Sequence, residues 1–436
     1  MSGAMSNPQK AFGKFLLLWS GQLISAVGSG LTAFGLGVYL YQQTGQASAM
    51  ALVTLLAFMP SLLLSPVAGV LADRYDRRLL MMLGDSLSAT GLIYILICLL
   101  NGGAELWQIC LGVTISSVFS SLLDPAYKAT VTDLLTEEQY TRASGFVQVA
   151  GSAKYLISPA LAGYLLLVSD VKLLLVIDIC TFFVTVASTL AVRRGLPSKQ
   201  SEQTGSFTRE LKEGWSAVSA SRGVLMLVMM TSVLTFCLGF IETLTMPMIL
   251  AFADSAVLGT LETVIALGML ASSIIIGVLP IKRNFVKILA LSLFCGGLCM
   301  AVFGLRENVL LLGVSGFLFF ATLPFANTSL DFLLRTNISN AVQGRAWSLI
   351  GLVSQLGFIA AYMLSGVLAD RVFTPLLTDG GLLAGSVGRI TGTGSGRGIG
   401  LLIILAGLLL SAAAIILYNL KSIKRLEPGG DLCSTG

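Results

Sequence analysis

Long apolar stretches separated by short polar breaks run along the whole chain. In the first half, apolar or weakly polar runs occupy about 14–43, 49–71, 79–100, 106–131, 141–168 and 172–192. A polar stretch from Arg193 to Gly223 interrupts them. Six more runs follow at about 222–253, 256–279, 286–304, 309–334, 343–369 and 397–420. At about 1.5 Å of rise per residue, even the shorter runs cross roughly 30 Å of hydrocarbon as helices. Barrel strands would be about ten residues long with alternating polarity, and these runs are continuous. The pattern predicts an all-α membrane protein of twelve transmembrane helices in two six-helix bundles. The expected division is 1–193, a cytoplasmic linker at 194–221, a second bundle at 222–425 and a tail at 426–436.

Composition agrees with this pattern. Of 436 residues, 55% are apolar and only 11% charged, where a soluble domain carries about 25% charged residues. Basic residues set the expected orientation. With both termini inside, 21 of the 27 lysines and arginines fall in inner segments, which the positive-inside rule reads as cytoplasmic ends. The expected partner is therefore a lipid bilayer, in a multi-pass bacterial plasma-membrane (cell inner membrane) protein. The basic residues are scattered rather than clustered on one face, which argues against nucleic acid as a partner. There is no histidine and no CxxC pair among seven cysteines, so neither a zinc site nor a histidine-based triad is expected. No GxxxxGK[ST] phosphate loop is present, which argues against ATPase action. The chain is expected not to be an enzyme and to use no cofactor.

Features recur half a chain apart. Gly69-Val-Leu71 matches Gly277-Val-Leu279, Asp124 and Lys128 match Asp331 and Arg335, and Arg142-Ala143 matches Arg345-Ala346. The offsets are 208, 207 and 203 residues. Constant order and spacing predict two parallel, pseudo-symmetric halves. Another recurrence, Gly69–Arg74 letter for letter as Gly366–Arg371, breaks the offset and is assigned no mechanistic role. Phe207–Trp215 in the linker is compatible with an amphipathic surface helix or a plain polar connector. The glycine-rich segment 370–398 is expected to be a flexible external loop.

Several residues could carry transport. Asp73, Arg74, Asp76, Arg77 and Arg78 form a charged cluster after the second run, suited either to an inner gate that bridges neighbouring helices or to an ordinary basic loop. Asp124 with Lys128, and Asp331 with Arg335, are spaced to pair along one helix face. Glu242 stands deep in the seventh run with no base within a helical turn, so it should face a cavity or a partner. Glu262, Asp178 and Lys154 are the further intramembrane charges, and any of the acids could pair with Lys154. These four are the candidates for proton coupling or substrate contact. Gly151 with Ser158, Pro159 and Gly163 forms a small-residue stretch for close helix packing, interrupted by a proline. Pro60, Pro66, Pro247 and Pro324 mark further bends. Phe34, Tyr39, Phe236, Phe240, Phe325 and Trp347 are candidate lining for an apolar cavity.

This arrangement resembles the major facilitator superfamily over residues 12–425. Gly69-Val-Leu-Ala-Asp-Arg-Tyr-Asp-Arg-Arg78 is similar to its signature between the second and third helices, with Asp76 in place of the customary glycine. Ser158-Pro-Ala-Leu-Ala-Gly163 is similar to its fifth-helix antiporter signature. Within the superfamily, Trp19-Ser-Gly-Gln22, Asp73–Arg78, the Asp124-Pro-Ala segment, Leu135–Gln139 and Ile157-Ser-Pro159 resemble bacterial drug exporters of the macrolide-efflux type. That resemblance implies secondary active export of a hydrophobic small molecule, as drug/proton antiport by alternating access, with a proton gradient as the energy source. It connects the chain with multidrug efflux and antibiotic resistance. A lipid, lysophospholipid or siderophore carrier of the same fold is the alternative, and a channel or nontransport receptor is a more distant one. The oligomeric state is left open, a monomer being compatible with the fold.

Overall fold

The computed structural model describes residues 8–193, 207–279, 281–339, 342–378 and 380–427. Among them the ordered structure is helical throughout. The first half contains α1 (Pro8–Thr44), α2 (Ala47–Arg74), α3 (Arg77–Leu100), α4 (Leu106–Ser120), α5 (Leu123–Leu134), α6 (Glu137–Leu156), α7 (Ser158–Val168) and α8 (Val171–Arg193). Then come α9 (Phe207–Ser219), α10 (Arg222–Leu250), α11 (Ser255–Val278), α12 (Phe285–Phe303), α13 (Val309–Asn337) and α14 (Gln343–Leu368). A π-helical turn (Ala369–Phe373), α15 (Thr374–Leu377), α16 (Gly388–Thr391), α17 (Ser395–Asn419) and α18 (Lys421–Lys424) complete the described chain. Twelve helical stretches among the described residues are long and apolar enough to cross a bilayer. They correspond one for one to the twelve runs.

One helix break falls at the proline-interrupted stretch around Pro159. α2 continues through Pro60 and Pro66, α10 through Pro247 and α13 through Pro324. The fourth run is instead divided between α4 and α5 at Ser121–Leu122, and the fifth between α6 and α7 at Ile157. In each case a proline follows within the first turn of the new helix, Pro125 and Pro159, where its missing N–H costs no helical bond.

The chain divides into two compact units. The first comprises residues 1–44, 52–204 and 258–262; the second comprises 45–51, 205–257 and 263–436. In the first unit, α1 packs along α8 and α6, and α3 along α4 and α8. At one end Phe15, Leu18, Met81, Ala126, Val131 and Val192 form a closed apolar core. In the second unit α12 packs between α13 and α17, and α10 against α14. Phe285 stacks on Phe332 there, with ring centroids 3.7 Å apart.

A few helix N-termini are satisfied by side chains. Asp76 caps α3 by accepting from the N–H of Arg78 at 3.1 Å. α12 begins after Asn284, which is left-handed (φ 60°) and makes no cap bond. Its amides are met by Glu427 instead, whose carboxylate accepts from Phe285 N at 2.7 Å and Val286 N at 3.0 Å. Asp370, in the second copy of Gly-Val-Leu-Ala-Asp-Arg, does the same for α2. Its two oxygens accept from Ala47 N at 3.1 Å and Ser48 N at 2.8 Å, all within the second unit. Gly366 lies directly on Ser48, with no room for a Cβ between them.

Of the proposed linker, residues 194–206 lie outside the described residues. α9 packs against α14: Glu213 pairs with Arg345, and Gly214 touches the Arg345 carbonyl. The segment 370–398, expected as a flexible loop, is folded into short helices and turns. The Arg397 side chain, 3% exposed, pairs with Glu307 at 2.8 Å. Its Nη1 donates to the carbonyls of Thr391 at 2.9 Å and Leu305 at 3.3 Å.

Candidate functional site

In the second unit, α10 and α14 approach closely because small and hydroxylated residues face each other. Gly239 meets Ala361, and a Cβ there would stand 3.3 Å from the Phe358 ring and 3.5 Å from that of Tyr362. Ser232 donates to Val353 O at 2.9 Å, Thr235 to Ser354 O at 2.6 Å and Thr243 to the Ser365 hydroxyl at 2.9 Å. These bonds fix the rotation of the two helices and bring Glu242 to Tyr362. The Tyr362 phenol, on a side chain only 4% exposed, donates to Glu242 Oε2 at 2.7 Å. The Glu242 residue is exposed. The Tyr362 ring lies beside Phe358, 5.7 Å between centroids, while Phe236 and Phe240 pair with each other along α10 at 4.7 Å. A carboxylate held by one phenol, with a second ring beside that phenol, offers an apolar organic cation both a charge and a ring face.

A second set of groups lies inside the first unit. Asp178 on α8 is 1% exposed. Ser29 and Thr181 each place a hydroxyl 3.4 Å from its Oδ1. Lys154 on α6 lies near enough for its charge to act on Asp178. Gly28 lets α1 cover this acid, since a Cβ there would stand 2.7 Å from Asp178 Oδ1. Ser158 is fully buried and donates to Val27 O at 3.0 Å, while Gly30 packs directly on it. Pro159 and Gly163 are buried as well, and the Pro159 carbonyl meets Gly259 of α11 with no space for a side chain. Glu262, one turn further on, is half-buried.

Asp85 on α3 was not singled out by the sequence reading. It is 1% exposed, and neither of its carboxyl oxygens accepts a hydrogen bond. The signal was present: an acid in the middle of an apolar run with no base nearby, the same criterion that selected Glu242 and Asp178.

Asp76 and Arg77, members of the charged cluster, bridge neighbouring helices of the first unit. Arg193 Nε donates to Asp76 at 3.0 Å, and Arg77 donates to Asp133 at 2.7 Å and to the carbonyls of Ala72 and Ala129. Both therefore fasten the α2–α3 turn onto α8 and α5. Arg78 is buried and Arg74 exposed, whereas the Asp73 side chain lies outside the described ones. Tyr39, read as cavity lining, exchanges two bonds with Ala104 and so fastens the turn after α3. Phe34, also read as lining, is 4% exposed and belongs to the interior packing. Phe325 is half-buried. Trp347 is half-buried too, and its ring lies 5.2 Å from the Arg335 guanidinium. Arg335 in turn reaches Asp331 at 2.8 Å, and Lys128 reaches Asp124 at 2.6 Å, each along its own helix. Gly151 is exposed with nothing near it, so it takes no part in helix packing.

Comparison with known proteins connects this geometry to a family. The sequence profile described as Major Facilitator Superfamily matches residues 18–362. Macrolide efflux protein A of Streptococcus pyogenes is 26% identical over 371 residues, covering 82% of this chain and 90% of that protein. Macrolide efflux protein A of Enterococcus faecalis is 27% identical over 322 residues, covering 71% of this chain and 98% of its own length. Among solved structures, the nucleoside transporter NupG superposes with a TM-score of 0.73 at 14% identity, covering 94% of this chain and all of that one (100%). A bacterial homologue of the iron transporter ferroportin, in an inward-facing state, gives 0.71 at 15% identity, with coverage of 94% and 99%.

Proposed function

The chain belongs to the Major Facilitator Superfamily, a family of transporters and not of enzymes, and from that premise we propose that it exports a hydrophobic small molecule in exchange for protons. Likeness to Macrolide efflux protein A supports a drug-exporter reading. The observation that carries the proton half is Glu242, an acid on a membrane-crossing helix, held by Tyr362, whose ring lies beside Phe358. A charge facing hydrocarbon is costly, so an exposed carboxylate at this depth serves water, a counter-charge or a proton. The aromatic faces suit a large apolar cation, and a proton arriving at Glu242 would cancel the charge that holds it. Substrate and proton then compete for one carboxylate, which is sufficient for antiport by alternating access. In this reading the protein lies in the bacterial plasma membrane with both termini in the cytoplasm.

The test uses everted membrane vesicles containing the full chain and erythromycin, a macrolide with an amine, as probe. An imposed gradient, acidic inside, should drive erythromycin accumulation that an uncoupler abolishes. Accumulation that persists after uncoupling would contradict proton exchange. Parallel competition by lysophospholipids or siderophores that displaces erythromycin would point to a different cargo for the same machinery.

A further inference from the structure

The two buried acids of the first unit sit in opposite environments. Asp178 receives the Ser29 hydroxyl at 3.4 Å and has Lys154 nearby, while Thr181 spends its hydrogen on the Asp178 carbonyl at 2.7 Å. Asp85 receives no hydrogen bond, although α3 and α8 pack together and Asp178 acts on it as a like charge. Its neighbouring hydroxyl is Thr185. That hydroxyl spends its hydrogen on the carbonyl of Phe182 at 2.9 Å, with Thr181 O at 3.3 Å. Only its lone pairs remain. An ionised carboxylate, which solely accepts, gains nothing from them, whereas a neutral carboxyl can donate its O–H there.

Among the described residues, no other charge resolves the conflict. Facing α3, α4 contributes Ser116 and Ser120, which bond Ser88 at 2.8 and 2.9 Å; its one titratable group, Cys110, stands ten residues further along. α5 brings Tyr127, a phenol, while its Asp124 and Lys128 pair with each other and Asp133 is taken by Arg77. On α8, Lys172 pairs with Asp170, Arg193 with Asp76, and Cys180 is exposed. α1 is charged only at Lys10 and Lys14, near its start. Arg78 lies two helical turns before Asp85 on α3 itself. An ionised Asp85 would thus be an unpaired interior charge beside another, an expensive state.

We propose that Asp85 is a proton-binding site, its O–H directed to Thr185, next to an Asp178 that stays ionised against Lys154 and Ser29. Two carboxyls whose surroundings differ in this way divide the roles of acid and base between them. α1 covers Asp178 through Gly28, so any sliding of α1 along α8 changes the donors on Asp178 and with them the hold on the Asp85 proton. Within the proton-driven reading, on which this last step rests, the first unit therefore carries its own loading point, separate from Glu242.

The experiment is infrared difference spectroscopy of the full chain in lipid nanodiscs, titrated from acidic to alkaline pH. Wild type should show a protonated-carboxyl C=O band at neutral pH that disappears in Asp85→Asn and persists in Glu242→Gln. Asn copies the neutral acid and can donate to Thr185, so Asp85→Asn should unfold at the wild-type temperature. In Asp178→Asn the band should titrate away at lower pH, because the neighbouring negative charge is gone. A band unchanged in Asp85→Asn, or a titration unmoved in Asp178→Asn, overturns the proposal. Loss of the band in Asp85→Asn, together with erythromycin flux indifferent to the proton gradient, supports the proton site while contradicting the transport reading.

Discussion

Arg397 offers a quantitative test of how segment 370–398 is held. Its guanidinium is 3% exposed and pairs with a Glu307 side chain that is 35% exposed. Replacing it with Met keeps the apolar stem and removes every polar contact. The bond to Thr391 O at 2.9 Å is charge-assisted and well formed, worth about 1.5–3 kcal/mol. The bond to Leu305 O at 3.3 Å is longer and adds less. Breaking a buried ion pair costs about 3–5 kcal/mol when the survivor stays buried. Glu307 can rehydrate, so most of that term falls away. A net loss of about 2–3 kcal/mol follows, or roughly 30–140-fold in the population of the opened segment at 1.4 kcal/mol per factor of ten. Arg389 is exposed within that segment and provides a trypsin site for the readout. When reclosing outpaces cleavage, the cut rate tracks the opened fraction. Trypsin should then cut after Arg389 some tens of times faster in Arg397→Met than in wild type. A rate within about threefold of wild type, less than 0.7 kcal/mol on the same conversion, would refute the claim that this buried cation organises the segment.

Other substitutions probe separate parts of the account. Tyr362→Phe removes the phenol that donates to Glu242, a bond to a charged group worth about 1.5–3 kcal/mol. Gradient-driven erythromycin uptake into everted vesicles should fall about tenfold or more at matched protein level. Gly259→Leu would force a side chain into the Pro159 carbonyl, costing about 1–3 kcal/mol by overpacking; thermal unfolding in detergent should show a clear loss. Gly151→Ala, where nothing stands within 4 Å, should instead be neutral or stabilising by up to about 1 kcal/mol through helix propensity. Asp370→Ala strips the cap from Ala47 N and Ser48 N, about 0.5–2 kcal/mol, and hydrogen exchange at those two amides should speed up roughly 2–30-fold.

The helical architecture was legible because each span needs a long apolar run and leaves one. Breaks inside spans were less so. Pro60 and Pro247 sit inside unbroken helices, whereas Pro159 follows directly on the interruption at Ile157. Intrahelical pairs such as Asp124 with Lys128 follow from four-residue spacing alone. Tyr362 stands 120 residues from Glu242, so their hydrogen bond depends on the register of α10 against α14, which no local pattern encodes. The charged α2–α3 turn shows the opposite case: its residue types were evident, but Asp133 and Arg193, distant in sequence, decide what Arg77 and Asp76 hold. The second Gly366–Arg371 copy was set aside because its offset was irregular. Its aspartate proved to be a helix cap, a role set by where the chain ends meet.

The claim on which the transport reading stands is that protons and cargo meet at Glu242. The most direct measurement is proton movement itself, recorded with a pH-sensitive dye trapped in vesicles as erythromycin is added outside. Wild type should release protons from the lumen in step with erythromycin uptake, and Glu242→Gln, reconstituted at equal density, should show no such release. An unchanged proton signal in Glu242→Gln would contradict the account.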